Sequence, residues 1–279
     1  MAVSPERSPE EKAQTARLES SYRQTQSPVM LDIEQNVCGC NYGACSWTTK
    51  AEADELARYL ELEPGIALLD LGAGTGWPGL YLSSLSGCDL MLIDLPHHGL
   101  QIADDRARRE GMSQRVCTAV ADATGLPLAD KSFDAISHSD LLCCLKQKRA
   151  VLAAARRVVQ PEGRMVFTVI AVAPGLTEKQ RERALVNGPE FVESDTDYPT
   201  LLADTGWALC KTVDLTDAYV ATCQRQLEAD LEHSKDLAEL IGEADYAERL
   251  TSWRSNITAL EDGLLKRHLY ASVPMAGSN

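Results

Sequence analysis

The 279-residue sequence has no uninterrupted apolar run that approaches the length of a membrane span, which excludes a spanning helix as its organising element. The first residues, MAVSPERSPEEK, lack the apolar core of a signal peptide. Basic residues are scarce beside acidic ones: 27 Lys and Arg stand against 41 Asp and Glu, a net charge of -14. Nucleic acids and anionic membranes ask for a basic face, so neither is an expected partner. Nine cysteines, an odd number without a secretory signal, fit reduced thiols and argue against a disulfide frame. The expectation is a soluble, cytoplasmic protein that acts on small molecules. With 44% hydrophobic and 24% charged residues, the chain can bury one large α/β core.

The stretch from Leu68 to Leu82, LLDLGAGTGWPGLYL, organises the rest. An apolar run, Ile66 to Leu71, ends where Gly72, Gly74 and Gly76 alternate with Ala73 and Thr75, and a helical stretch follows. Glycines at this spacing let the backbone take positive φ angles and bring its N–H groups against a ligand, and the next helix offers its positive end. A bound small molecule is the first expectation, with a ligand-free glycine turn as the alternative. A dinucleotide fingerprint wants a small residue where Trp77 stands, which counts against NAD.

The chain reads as helices and strands in alternation. Ser8-Pro9-Glu10-Glu11 is a capping box that opens a helix to about Tyr22, after a start expected to fray over residues 1 to about 7. Gln26 to Thr49 reads as irregular, and Thr49 caps a helix to about Leu62 with Ala53, Leu56, Ala57 and Leu60 inward. Strands follow at Leu90–Ile93, Val116–Val120, Phe133–His138 and Arg164–Val172, separated by helices and by a turn at Pro161-Glu162-Gly163; a helix begins at Leu141–Leu145. Pro174 to Asp197 is expected to be a surface segment with a short helix. Trp207–Val213 and His268–Val273 read as two last strands. Between them Tyr246, Leu250, Trp253, Ile257, Leu260 and Leu264, with Val220, Cys223, Leu227 and Leu231, mark a helix pair that turns near Gly242.

Alternating strands and helices imply a parallel sheet wound on both faces, with ligands bound beyond the C-terminal strand ends. Asp94 closes the second strand, 22 positions beyond Gly72, where a carboxylate can accept both hydroxyl protons of a ribose. Asp122 and His138 sit at the ends of the third and fourth strands.

Asp70-x-Gly72-x-Gly74-x-Gly76 resembles the first motif of class I S-adenosylmethionine-dependent methyltransferases. The resemblance runs from about Tyr42 to the last strand and is nearest to the small-molecule enzymes related to ubiquinone and menaquinone biosynthesis. It implies a Rossmann-like, doubly wound, mainly parallel seven-stranded sheet with an antiparallel last strand. It implies S-adenosylmethionine as cofactor, no metal, and methyl transfer by in-line displacement to an O, N or C nucleophile of a small acceptor. The cofactor would lie against Asp70, Gly72, Ala73, Gly74, Gly76, Trp77, Asp94 and Ser137. Asp122 would accept from the adenine amine, the Ala123 backbone would serve a ring nitrogen, and Leu95 would pack on the base.

The domain plan is then a covering helix and loop over residues 1–48, a core of 49–215 with 266–275, and a helical hairpin cap over 216–265. Core packing of the hairpin, within the chain or between the subunits of a homodimer, is the competing reading. His138 is the candidate general base, because histidine titrates near neutrality. Its alternatives are a hydrogen bond at the strand end or a backbone contact to the cofactor. Tyr42 and Trp47 are read as closing over the cofactor or holding a cationic acceptor, and Asp140 as orienting His138, binding the acceptor or capping a helix. His97 and His98 read as the opening of a helix. Cys38-x-Cys40-x4-Cys45, with Cys143 and Cys144, keeps open a thiol-dependent metalloid methyltransferase or a metal-binding protein, although no C-x2-C pair is present in that stretch. A catalytically silent cofactor-binding protein is the third reading.

Overall fold

The fold comes from a computed structural model that describes residues 7–276; residues 1–6, most of the start expected to fray, and 277–279 lie outside the described residues. Strands β1 (Ala67–Leu71), β2 (Asp89–Asp94), β3 (Val116–Val120), β4 (Phe133–Ser139), β5 (Val159–Val172), β6 (Trp207–Asp214) and β7 (Leu265–Pro274) form one sheet. Their order is β3-β2-β1-β4-β5-β7-β6. The first five are parallel, and β7 runs antiparallel between β5 and β6. The expected doubly wound sheet is borne out. Strand order reverses between β1 and β4, which opens a crevice at their C-terminal ends.

Alternation along the strands feeds two core layers. Leu69, Leu71, Ile136 and Phe167 face one side, while Leu68, Leu92, Ala135 and Val166 face the other. Helices α3 (Lys50–Leu60), α4 (Gly79–Ser86) and α5 (His97–Arg109) cover the second layer, and α6 (Lys148–Val158) covers the first. In α3 the Thr49 capping box forms as read, and Ala53, Leu56 and Leu60 are buried. Each buried leucine there contributes roughly 1.5–3 kcal/mol.

Several elements depart from the sequence reading. The supposedly irregular Gln26–Thr49 contains α2 (Pro28–Cys38), opened by Pro28 and closed by Gly39 at φ +76. Both signals stood in the sequence, but the following glycine-rich run masked them. Leu142–Cys144 is a single 3-10 turn, and the chain breaks at Leu145 before α6 starts. Pro161-Glu162-Gly163 lies inside β5, where pairing jumps from Phe133↔Val159 to Ala135↔Arg164, so the expected turn is a bulge. The segment beyond β5 holds α7 (Glu178–Asn187) as expected and also α8 (Tyr198–Asp204).

Helix α1 (Pro9–Gln24) carries the Ser8/Glu11 capping box and crosses over the C-terminal strand ends. The hairpin between β6 and β7 is three helices: α9 (Thr216–Glu232), α10 (Ser234–Ile241) and α11 (Glu243–Glu261). Gly242, at φ +91, makes the turn from α10 to α11. Buried Asp230 binds α9 to α11, accepting from Arg249 Nε at 2.5 Å and Trp253 Nε1 at 2.8 Å, and Gln226 on its own helix donates to it at 2.8 Å. Cys223, Ile257 and Leu260 then join the first core layer, so much of the apolar face of these helices is used inside one chain.

Candidate functional site

The glycine loop is fastened from below. Gly72 and Ala73 donate their N–H groups to the Ile93 carbonyl at 2.8 and 3.0 Å, and Gly74 N donates to Asp94 Oδ2 at 2.7 Å. Gly74 takes φ +51 and has no room for a side chain, since a Cβ there would stand 2.9 Å from the Tyr22 hydroxyl. Asp94 Oδ1 accepts from Leu95 N at 2.7 Å. Burial pushes its carboxyl up to about 6 despite these two donors.

Two adjoining cavities open above the loop. One, of about 140 Å³, is bordered by Gly72 to Thr75, Trp77, Asp94, Ser139 and Asp140 below, and by Tyr22, Cys45 and Trp47 above. The other, of about 60 Å³, lies between Ile93–Pro96, Ala121–Ala123 and Leu145, under Gln14 and Leu18 of α1. Gly72, Asp94, Leu141, Cys144 and Leu18 border both. Of the residues expected to hold a cofactor, Gly72, Ala73, Gly74, Trp77, Asp94, Leu95, Asp122 and Ala123 reach these cavities. Asp122 Oδ1 accepts from Thr124 N and Oγ1, and so it also shapes the turn that presents Ala123.

Asp70, Gly76 and Ser137 stand behind the loop. Asp70 Oδ1 accepts from Ser137 Oγ at 2.7 Å, and Oδ2 has no partner. Burial raises this carboxyl to about 7, the Ser137 hydrogen bond opposes the rise, and the Asp94 charge adds to it. These three residues support the loop and do not line the cavities. The sequence reading had them in direct contact with a cofactor, whereas here they border neither cavity.

The three residues expected to be catalytic are placed differently. His138 is fully buried, stacks on Phe167 at 4.4 Å between centroids, and borders neither cavity. Neither ring nitrogen has a protein partner, and burial pushes its pKa down to about 3. Strand alternation explains this, because Ser137 and Ser139 take the other side of β4. Tyr42 is buried against Trp77 at 5.1 Å, with the Arg106 guanidinium 3.8 Å over its ring. It buttresses the wall and does not face the cavity. Asp140 does face it, but it neither orients His138 nor caps a helix. Its two oxygens accept from Arg267 Nε at 3.1 Å and Nη2 at 3.0 Å.

Arg267 was not among the residues singled out from sequence. It is fully buried on β7, donates also to Glu52 Oε1 at 2.9 Å and Thr48 Oγ1 at 3.3 Å, and lies over the Tyr219 ring. Burial opposes its charge, and Asp140 and Glu52 more than restore it. The signal was present: Leu265, Arg267, Leu269 and Ala271 share one face of β7 at period two. Tyr22 was missed too, although Leu18 and Tyr22 sit one helical turn apart on the one face of α1 that meets the cavities.

The thiols divide. Cys38 and Cys40 are buried away from the cavities, and Cys40 Sγ donates to Glu34 Oε1 at 3.4 Å. Cys45, Cys143 and Cys144 border the larger cavity. The exposed surface of Cys45 faces that space, and the protein around it pushes the thiol up to about 12. Among the described residues no three His, Cys, Asp or Glu side chains are arranged to hold a metal ion. No helix there is long and apolar enough to cross a membrane.

Unpartnered hydroxyls of Thr75 and Ser139 also border the larger cavity. With Asp94 and the close backbone approach at Gly74, they form a cradle that fits a ribose bearing a charged amino-acid tail, as in S-adenosylmethionine.

Comparison with known proteins agrees with this geometry. Residues 69–167, from β1 into β5, match the family model described as a methyltransferase domain. Methyltransferase GfsG of Streptomyces halstedii is 29% identical over 170 residues, covering 59% of this chain and 60% of that protein. The chain spans 44% to 60% of the length of the first curated relatives it matches. A Haemonchus contortus phosphoethanolamine N-methyltransferase 2, solved with phosphomonomethylethanolamine and S-adenosylhomocysteine, superposes with a TM-score of 0.76 at 17% identity, covering 93% of this chain and 61% of that one. The [4+2]-cyclase SpnF superposes at 0.70 with 20% identity, covering 94% and 97%. The fold is that of the class I methyltransferases, as the glycine motif implied.

Proposed function

We propose that this chain, with its matched methyltransferase domain, binds S-adenosylmethionine across the two adjoining cavities and passes a methyl group to a small-molecule acceptor. One observation carries the reading: residues from the ends of four strands, Gly72 to Gly74, Asp94, Asp122 and Asp140, come to one crevice under one helical roof. When bound, the sulfonium supplies an electrophilic methyl carbon, and the chain supplies position. Asp94 accepts the ribose hydroxyls, and Leu95, Pro96 and Ala123 flank the base. Thr75 and Ser139 serve the amino-acid tail.

The acceptor then lies in the larger cavity among Trp47, Leu141, Cys143 and Ile170, an apolar setting that excludes water from the reacting atoms. Burial holds the Tyr22 hydroxyl and the Cys143 thiol protonated, the protein around Cys45 does the same for its thiol, and Arg267 occupies Asp140. No strong base therefore faces the acceptor. The reading favours a nucleophile that attacks before its proton is lost, or one that has no proton to lose, with orientation supplying the acceleration. The cap helices act one chamber away. Trp253 and Arg249 border a cavity of about 300 Å³ on the other side of loop 43–47, where the body of a larger acceptor would rest.

Calorimetry with S-adenosylhomocysteine tests the cofactor site. Mass spectrometry of amines, phenols, thiols and arsenite incubated with S-adenosylmethionine tests transfer. Tight cofactor binding without transfer to any acceptor class would favour the catalytically silent reading, and arsenite as the sole acceptor would favour the thiol reading.

A further inference from the structure

A further cavity, of about 490 Å³, opens on the far side of β5 and shares no lining residue with the three described above. Its floor is aromatic, with the Tyr198 and Tyr270 rings 5.9 Å apart, and Val172 and Val192 extend the apolar wall. Three residues that border it each carry a buried polar atom without a partner: Tyr198 Oη, Ser194 Oγ and His268 Nδ1. Tyr198 is 3% exposed, so its hydroxyl has been taken from water and given nothing in return.

The four charges that border this space, Arg181, Lys266, Glu193 and Asp197, balance in sum but are not all paired. Arg181 is ion-paired with Glu193, and Asp197 caps α8 through Thr200 N at 2.7 Å. Lys266 remains, and among the described residues its ammonium has neither an ion pair nor a hydrogen bond. All three unpartnered atoms can donate: two are hydroxyls, and a neutral imidazole can carry its proton on Nδ1. A carboxylate only accepts, so one such group could satisfy these donors beside a free cation, whereas an amine would meet Lys266 with like charge.

We infer that this cavity is a second small-molecule site, for an organic anion with a flat apolar body of the aryl carboxylate class. The body lies against Tyr198 and Tyr270, and the carboxylate faces Lys266 and the Tyr198 hydroxyl. The cavity volume falls within the range usual for such ligands. The same segment that walls it, through Val192 and Glu193, is tied to the acceptor side: Lys148 Nζ donates to the carbonyls of Phe191, Glu193 and Leu145 at 2.7, 2.8 and 2.7 Å. An occupant therefore touches a wall held directly to the turn that carries Cys143 and Cys144.

The test is titration of the whole protein with 2-naphthoate and with its uncharged amide, followed by calorimetry and by protein NMR. The carboxylate should bind at one equivalent and at least about tenfold more tightly than the amide. Lys266→Met should weaken it by about tenfold and Tyr198→Phe, which preserves the ring, by about threefold to tenfold, with thermal midpoints close to the parent. Trp47→Ala, in the acceptor cavity, should leave the affinity as it was. Equal binding of acid and amide, an affinity untouched by Lys266→Met, loss on Trp47→Ala, or no binding up to about 5 mM would overturn the assignment.

Discussion

Arg267 on the last strand and Asp140 at the end of the fourth meet through two hydrogen bonds, at 3.1 and 3.0 Å, across 127 positions of sequence. The contact fixes Asp140 at φ +53, a backbone angle that non-glycine residues seldom take, and with it the floor of the acceptor cavity. Replacing Arg267 by Ala would leave Asp140 and Glu52 as buried, uncompensated charges. Denaturant unfolding should show a loss of about 3–5 kcal/mol. A loss under about 1 kcal/mol would mean that water reaches the network.

Asp94 must be ionised to accept two ribose hydroxyls, yet burial holds its carboxyl at about 6. Affinity for S-adenosylhomocysteine should be flat above about pH 7 and fall as pH drops through 6, approaching tenfold per unit. Asp94→Ala should cost about 1.5–3 kcal/mol of binding at pH 7.5. Calorimetry between pH 5 and 8 reads both effects. Affinity independent of pH in the parent, or unchanged in the variant, would remove Asp94 from the ribose site.

Asp70 gives a stability signature of its own. Its folded carboxyl titrates at about 7 against an ordinary value of 3.8, so folding favours the protonated form. The contribution is fully present below pH 3.8 and is lost as pH rises through 7, which lowers unfolding free energy by a few kcal/mol over that window. Asp70→Asn should flatten the dependence in denaturant titrations at successive pH values. A parent profile that rises between pH 5 and 7.5 would contradict the burial of this group as a lone charge.

His138→Leu should be tolerated. The ring is closed off from both cavities with two unpartnered nitrogens, so an apolar replacement removes a desolvation cost of about 1–3 kcal/mol and keeps the packing on Phe167. Turnover should stay within about threefold of the parent. A fall of a hundredfold or more, the signature of a lost general base, would restore the role read from the sequence.

The cavity thiols separate the remaining readings. Cys45→Ser with Cys144→Ser should abolish turnover only if thiolates bind the acceptor, whereas Cys40→Ser should be silent, since that side chain is buried against Glu34 and borders none of the cavities described for cofactor and acceptor. Cys45 is exposed like Cys117 and Cys210 but is held protonated up to about 12, so iodoacetamide at pH 8 should label it more slowly than those two. Faster labelling would show a thiolate the local electrostatics do not account for.

Much of the cofactor side was legible because local chemistry dictates it. Glycines at Gly72, Gly74 and Gly76 are needed wherever backbone must turn under a ligand, and an acid at Asp94 follows from its place at a strand end. The acceptor side was less legible. Whether His138 faces a cavity or the core depends on which side of β4 it takes, and no single strand states which layer will be occupied. Arg267 falls just outside the strand read from His268, and its partners, Glu52 and Asp140, lie far away in sequence. Tyr22 sits on a largely polar helix whose one functional face appears only when α1 is laid across the strand ends.

Strand β6 has a single neighbour in the sheet, and that neighbour is β7, which comes later in the chain and must enter between β5 and β6. During synthesis residues 207–264 therefore emerge with no sheet edge to join, and β5 waits with its ladder exposed. Closure is a long-range event, and it coincides with the burial of Arg267, so the sheet and the charge network complete in one step. Loop-closure entropy makes such pairing slow. A nascent chain halted before β7 would present an open strand edge on β5 and two unneutralised acids, Glu52 and Asp140.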